Sequence, residues 1–381
     1  MQTVNDNRTG PFYRPELDSL RFFAFLLVFI SHALSTEITF YTNFGVPLEA
    51  ARWLTKGIAC GGHGVALFFL LSSYLITELL IRERSRTGSL DVRSFYIRRA
   101  LRIWPLYFFF LLVVYVVIPQ SSIYALKDNF VIPMLLLVGN WACVFYQGMG
   151  HSVAGPLWSI SVEEQFYLAW PLVISGVGVK YLKRVCIALI VFANLVRIVM
   201  EKKGAGDVAF VCSTFSWMDT IAIGALLALF LRGGAPRLSS KQRVLLGAGG
   251  LAVWVVAARF SKIFIYPDIA GYPLTNIGSI MMFLAVLGSS ITHPILVYLG
   301  RVSYGLYVFH VGALTLASFL FVQFSFFCAL TGLAITILFA AISYRCLEEP
   351  FLRLKKCFTH VPSRPVRPTL SPEVYPEPPG H

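Results

Sequence analysis

A helix that crosses the ~30 Å apolar slab of a bilayer needs about 20 residues. This chain carries eleven apolar runs of about that size, near 20–38, 62–82, 103–119, 130–147, 159–179, 185–200, 208–231, 243–258, 272–290, 303–321 and 325–347. So many runs leave too little polar surface to cover a water-soluble globule. Of the 381 residues, 57% are apolar or aromatic and 13% charged, with a mean hydropathy of +0.70, whereas ordinary soluble domains are about 45–50% apolar and about 25% charged. The sequence therefore predicts an all-α, polytopic membrane helix bundle. A disordered chain, a coiled coil and a disulfide scaffold are excluded.

The position of the charges sets the expected topology. Thirty-two Lys and Arg against nineteen Asp and Glu give a net charge of +13, and the excess sits in loops. That is the positive-inside pattern of cytoplasmic loops rather than a nucleic-acid footprint. With the N-terminus inside, the loop 82–102 is cytoplasmic and holds Arg82, Arg84, Arg86, Arg93, Arg98, Arg99 and Arg102. A full crossing by 130–147 would put Lys180, Lys183 and Arg184 outside, together with Arg232, Arg237, Lys241 and Arg243. If that run only dips in and returns, all of them fall inside with Arg353, Lys355 and Lys356. Pro133, Gly139 and the following QGMGHSVAGP suit such a return. The expectation is about ten transmembrane helices plus one re-entrant or interfacial segment, in the inner (plasma) membrane, with both termini cytoplasmic.

Three parts are expected along the chain. Residues 1–19 form a polar cytoplasmic segment without the apolar core of a cleaved signal peptide. Residues 20–351 form the membrane domain, and 352–381 a basic then proline-rich disordered tail. The seven cysteines show no CxxC and no Cys/His spacing that suits a metal; most read as small core residues. His63, His151, His293 and His360 read as loop residues.

Ionisable side chains inside spanning segments are costly and so mark functional candidates. In RPELDSLRFFAFLLVFISHA, Arg21 and His32 lie eleven residues apart. Three helical turns plus about 20° put both on one face, roughly 16 Å apart along the axis. Asp18, one turn before Arg21, shares that face and can hold its guanidinium. Arg21 is expected near the cytoplasmic boundary and His32 about midway through the bilayer, where an imidazole is suited to proton transfer. Arg99 and Arg102 in SFYIRRALRIWPLY form an i, i+3 fork that matches a phosphate, and equally reads as positive-inside charge. In GPLWSISVEEQFYLAWPL, Glu163 and Tyr167 share a face, and Glu163 is a candidate to orient His32. Asp219, the polar stripe Ser303, Tyr304, Tyr307 and His310, and Glu348 read chiefly as structural.

These segments, in this order, resemble the membrane acyltransferase-3 family, integral-membrane O-acyltransferases of bacteria. The resemblance runs from about Tyr13 to Phe351 through RPELDSLRFFAFLLVFISHA, GVALFFLLSSYLI, FYIRRALRIWPLY, GPLWSISVEEQFYLAWPL, MDTIAIGALLAL, LGRVSYGLYVFH and SYRCLEEPF. It implies catalytic roles for Arg21, His32 and Glu163, with His32 as general base on the acceptor hydroxyl or as a transient acyl carrier and Glu163 orienting it, and acyl-CoA binding by Arg99 and Arg102. Asp18, Trp158, Ser159, Tyr167, Asp219, Tyr304, His310 and Glu348 are the supporting positions. The sequence departs from the family pattern at Ser73, where a glycine is usual, at Ala66, where a polar residue is frequent, and at Trp217, where an arginine is common. A fused extracellular esterase-like domain, frequent in the family, is not expected here.

The expected activity is transfer of an acyl group, acetyl in the first instance, from cytoplasmic acyl-CoA to a hydroxyl of a cell-surface polysaccharide or lipid-linked sugar. No bound cofactor and no metal is implied; membrane lipid, acyl-CoA and the glycan are the expected partners. Two alternatives stand beside it: acylation of a small natural product such as a macrolide, and a secondary transporter or flippase, which also uses intramembrane Arg, His and Glu.

Overall fold

The computed structural model describes residues 12–259, 270–359 and 361. The proline-rich tail, most of the N-terminal segment and His360 lie outside the described residues. Among the described residues all regular structure is helical. The chain runs through α1 (Pro15–Ala33), α2 (Ile38–Thr42), α3 (Leu48–Ala59), α4 (Gly64–Thr87), α5 (Val92–Val117), α6 (Asp128–Leu135), α7 (Gly139–Tyr146) and α8 (Trp158–Val177). It continues through α9 (Val179–Lys202), α10 (Asp207–Cys212), α11 (Met218–Leu231), α12 (Ser240–Arg259), α13 (Gly271–Val286), α14 (Pro294–Arg301), α15 (Ser303–Ser318), α16 (Phe326–Ser343) and α17 (Glu349–Leu354).

Local signals fix many of these ends. Pro15 opens α1 at a position whose N–H would be unpaired anyway. Gly88 (φ 77°) ends α4 in the left-handed conformation, and three residues later the Asp91 carboxylate accepts from the Ser94 N–H to start α5. Gly64 packs against the Ala24 carbonyl. A Cβ there would force α1 and α4 apart, so this glycine sets their spacing.

Among the described residues, four helical stretches are long and apolar enough to cross a membrane: Leu48–Thr87, Val92–Val117, Thr214–Leu231 and Phe326–Phe358. A fifth is formed if Pro294–Arg301 and Ser303–Ser318, bent by 73°, act as one. Large apolar side chains face outward on these and other helices, among them Leu112 and Val116 on α5, Leu168 on α8 and Leu338 on α16. In water such a surface would aggregate; in lipid it is at home.

The run 130–147 is not one helix. It breaks into α6 and α7, each eight residues long, about Leu137 (φ 58°). Neither is long enough to span. A buried polar cluster pins the hairpin: Asn140 donates to the Cys212 carbonyl and to Thr214 Oγ1 (both 2.9 Å), and Gln165 Nε2 donates to Asn140 Oδ1 (2.8 Å). The run 208–231 is likewise divided, with α11 starting only at Met218. Asp219 is therefore in the first turn of α11 and not mid-segment.

The basic loops converge on one end. Arg14 donates to the Gly233 carbonyl after α11 (2.6 Å), and the Gly288 N–H after α13 donates to Glu16 (2.9 Å). Arg84 reaches the Ile174 carbonyl near the end of α8 (2.6 Å), and Arg98 bridges Glu83 (2.8 Å) and the Phe358 carbonyl (2.6 Å). Lys183 sits over the Phe230 ring. The opposite end carries the α6–α7 hairpin and the C-terminal end of α1.

Candidate active site

Two cavities lie between these ends. The smaller, about 90 Å³, is lined by Arg21, Arg99, Arg102, Ser72, Glu163 and Tyr167 among others. Arg21 reaches it from α1, its guanidinium held by Asp18 at 3.0 Å; Tyr13 donates to the other Asp18 oxygen at 3.0 Å. The Arg99 guanidinium lies between the rings of Phe95 and Tyr167, 5.4 Å from each centroid. Stacking of this kind fixes the plane of the fork at little entropic cost. Its Nε is buried without a partner. Glu348, in the turn after α16, is within electrostatic reach of Arg102, and the Tyr304 hydroxyl ties α15 to the Ile103 carbonyl at 2.8 Å.

The larger cavity, about 450 Å³, is lined by His32, Trp158, Tyr307, Tyr124, Asp207 and the glycine-rich loop 148–155. His32 occupies the last turn of α1, one residue from its end. The helix ends earlier than the apolar run 20–38, and the imidazole opens to the cavity. His32 Nδ1 lies 2.9 Å from the Val28 carbonyl. A carbonyl only accepts, so Nδ1 carries a proton, and in the neutral ring Nε2 keeps its lone pair. His310 is arranged in the same way, with Nδ1 on the Tyr307 carbonyl at 2.5 Å and a buried Nε2 without a partner.

Tyr307 and Val65 line both cavities. The Tyr307 hydroxyl is 2.8 Å from Ser159 Oγ and donates to the Pro156 carbonyl at 3.1 Å.

The expected pairing of Glu163 with His32 is not what the fold makes. Glu163 accepts from Ser72 Oγ (2.9 Å) and from the Tyr167 hydroxyl (2.6 Å), on the arginine side. The i, i+4 relation of Glu163 and Tyr167 was legible; the partner on α4 was not. His32 instead meets His310, ring to ring, at 5.0 Å.

Asp219 forms a buried ion pair with Arg197, and Asn276 Nδ2 donates to the same oxygen at 3.0 Å. Arg197 also lies 4.3 Å over the Tyr272 ring. The cluster joins α9, α11 and α13. Sequence reasoning overlooked Arg197, although a buried cation in an apolar run demands an acid, and Asp219 stood as an acid without an assigned partner in the next run. His63 is not a loop residue: it is buried at the start of α4, with Nδ1 3.2 Å from Thr275 Oγ1 and its ring on Trp254. His151 lines the larger cavity.

Residues 14–345 match the sequence profile of an acyltransferase domain, that of the acyltransferase-3 family. The chain belongs to this family. The match covers Asp18, Arg21, His32, Arg99, Arg102, Trp158, Glu163 and His310, and stops three residues short of Glu348. Among relatives of this acyltransferase-3 chain, the O-acetyltransferase OatA of Staphylococcus aureus strain NCTC 8325 is 26% identical, over 93% of the chain and 60% of the relative. A protein of S. aureus strain MSSA476, whose assignment as an O-acetyltransferase is provisional, is 27% identical over 89% of the chain and 57% of the relative. The chain thus spans under two thirds of the length of these relatives. No solved structure matches.

Proposed function

We propose that this chain is an integral-membrane O-acyltransferase that moves an acyl group, acetyl in the first instance, from cytoplasmic acyl-CoA to a hydroxyl of an outward-facing glycan or lipid-linked sugar. One observation carries the reading. A cavity with three arginines, towards the basic end, meets at Tyr307 a cavity in which His32 keeps a free lone pair. Family membership and the relatives' names support acyl transfer.

In this reading Arg99 and Arg102 hold CoA phosphates and Arg21 neutralises charge at the entrance. The acceptor hydroxyl sits in the larger cavity beside His32. Its proton passes to His32 Nε2 while its oxygen bonds the thioester carbonyl carbon; the C–S bond breaks and CoA leaves as a thiolate that takes up a proton. Glu163, held by Ser72 and Tyr167, balances the arginine cluster and does not orient the base.

The topology that goes with it has about ten crossings, α1, α4, α5, α8, α9, α11, α12, α13, α15 and α16. The α6–α7 hairpin lies at the outer face, and both termini are cytoplasmic in the plasma membrane. Alternation along this list returns every basic loop to one side, as the positive-inside rule requires.

Inside-out membrane vesicles given acetyl-labelled CoA test the reading. Label should move to a lumenal acceptor while CoA stays outside. Uptake of an intact solute with no label transfer would support a transporter instead.

A further inference from the structure

The proposed reaction has a competitor. His32 opens to a cavity of about 450 Å³, a space that holds water when no acceptor fills it. A base able to activate a sugar hydroxyl is equally able to activate that water, and the thioester would then be hydrolysed.

What separates the two cavities is small and specific. Tyr307 and Val65 line both. The Tyr307 ring is braced by Phe68 at 5.9 Å and His310 at 5.4 Å. Its hydroxyl bridges the start of α8, meeting Ser159 Oγ at 2.8 Å and the Pro156 carbonyl at 3.1 Å. Ser159 lines the arginine cavity, while Pro156 and Trp158 line the other. A single phenol thus latches α15 to the start of α8 at the boundary.

We infer that the Tyr307–Ser159 latch is the partition that keeps His32-activated water from the thioester, so that Tyr307 selects the acceptor hydroxyl over water. The inference rests on the donor and acceptor sides proposed above. The suppressed step is a hydrolysis: a water proton goes to His32 Nε2, the water oxygen bonds the acyl carbon, the C–S bond breaks, and CoA thiolate takes a proton. Tyr307 itself is neither base nor acyl carrier in this scheme; it acts through position. Swinging the ring aside when an acceptor is seated joins the cavities, at the loss of about one net hydrogen bond's stabilisation.

The test is thiol release from acetyl-CoA by the purified full chain in lipid nanodiscs with no acceptor present, alongside calorimetric binding of acetyl-CoA. Wild type should bind the donor and release CoA slowly. Tyr307→Phe keeps the ring on Phe68 and His310 but removes the latch, and should raise release about fivefold, the factor one net hydrogen bond is worth in such an equilibrium. Tyr307→Ala should raise it further, and His32→Ala combined with Tyr307→Ala should return it to background. A misfolded variant loses activity, so a gain cannot come from damage; if Tyr307→Ala is unstable, Tyr307→Phe decides. Donor binding with no rise in either folded variant overturns the partition, as does a rise that survives His32→Ala. Absence of acetyl-CoA binding by wild type instead overturns the donor reading, and the partition falls with it.

Discussion

The imidazoles of His32 and His310 meet edge to face, with centroids 5.0 Å apart and planes 75° apart, although 278 residues separate them in the chain. Each donates Nδ1–H to a carbonyl of its own helix, Val28 and Tyr307 respectively, which leaves the Nε2 of each neutral ring with its lone pair. His310 also packs edge-on against Phe25 at 6.2 Å. It packs directly against the His32 ring, which makes it the candidate positioning residue for that imidazole.

His310→Phe should therefore keep the aromatic packing but lose the carbonyl tether. Misplacing a reacting group by ~1 Å costs about 10²-fold, so kcat for acetyl transfer should fall on that order with the KM for acetyl-CoA little changed. Steady-state kinetics in nanodiscs separates the two; a raised KM at unchanged kcat would count against positioning.

Arg99 and Arg102 should bind the donor. Lysine retains the charge, and so the topology signal, but not the planar fork. Arg99→Lys also gives up stacking between Phe95 and Tyr167. Each single change should raise the Kd for acetyl-CoA about tenfold, the equivalent of ~1.4 kcal/mol. Titration with acetyl-CoA checks this, and unchanged affinity in both would leave the pair as topology signals alone.

The Arg197–Asp219 pair is predicted to matter for folding. Removing one member strands a buried charge, at about 3–5 kcal/mol. Asp219→Ala should thus lower the Tm in detergent markedly, whereas Arg197→Met combined with Asp219→Leu should recover much of the loss. Fluorescence-detected thermal melts distinguish them. Equal Tm for the single variant and wild type would deny the pair its structural role.

Much of the helical layout was legible because bilayer thickness imposes a length that apolar runs must meet. The hairpin at 130–147 was legible for a second reason, since Pro133, Gly139 and the loop charges agree. Contacts within one helix, such as Asp18–Arg21 and Glu163–Tyr167, followed from helical spacing. What failed were meetings between helices. Ser72 with Glu163, His32 with His310 and Thr275 with His63 are products of three-dimensional packing, on which sequence periodicity is silent. The end of α1 was misjudged because Leu34 is apolar yet extended (ψ 147°), so hydropathy continued past the helix.

Sidedness can be read by thiol labelling. The free thiols Cys346 and Cys357 are exposed and the other five buried, so a background lacking the exposed pair suffices. Ser122→Cys, in the segment before the hairpin, should react with an impermeant maleimide in intact cells. Lys183→Cys should react only after permeabilisation. Labelling of Lys183→Cys from outside would invert the placement of α8 and contradict the proposed alternation of crossings.

The central claim is that His32 takes the proton of the acceptor hydroxyl as the acyl group passes from cytoplasmic CoA to the acceptor on the other side. The most direct measurement is label transfer from acetyl-labelled CoA to acceptor in inside-out vesicles carrying wild type or His32→Ala at equal abundance. Loss of a general base typically costs about 10²–10⁴-fold. His32→Ala should therefore retain donor binding yet fall by at least the lower bound in transfer; transfer at the wild-type rate would contradict the account.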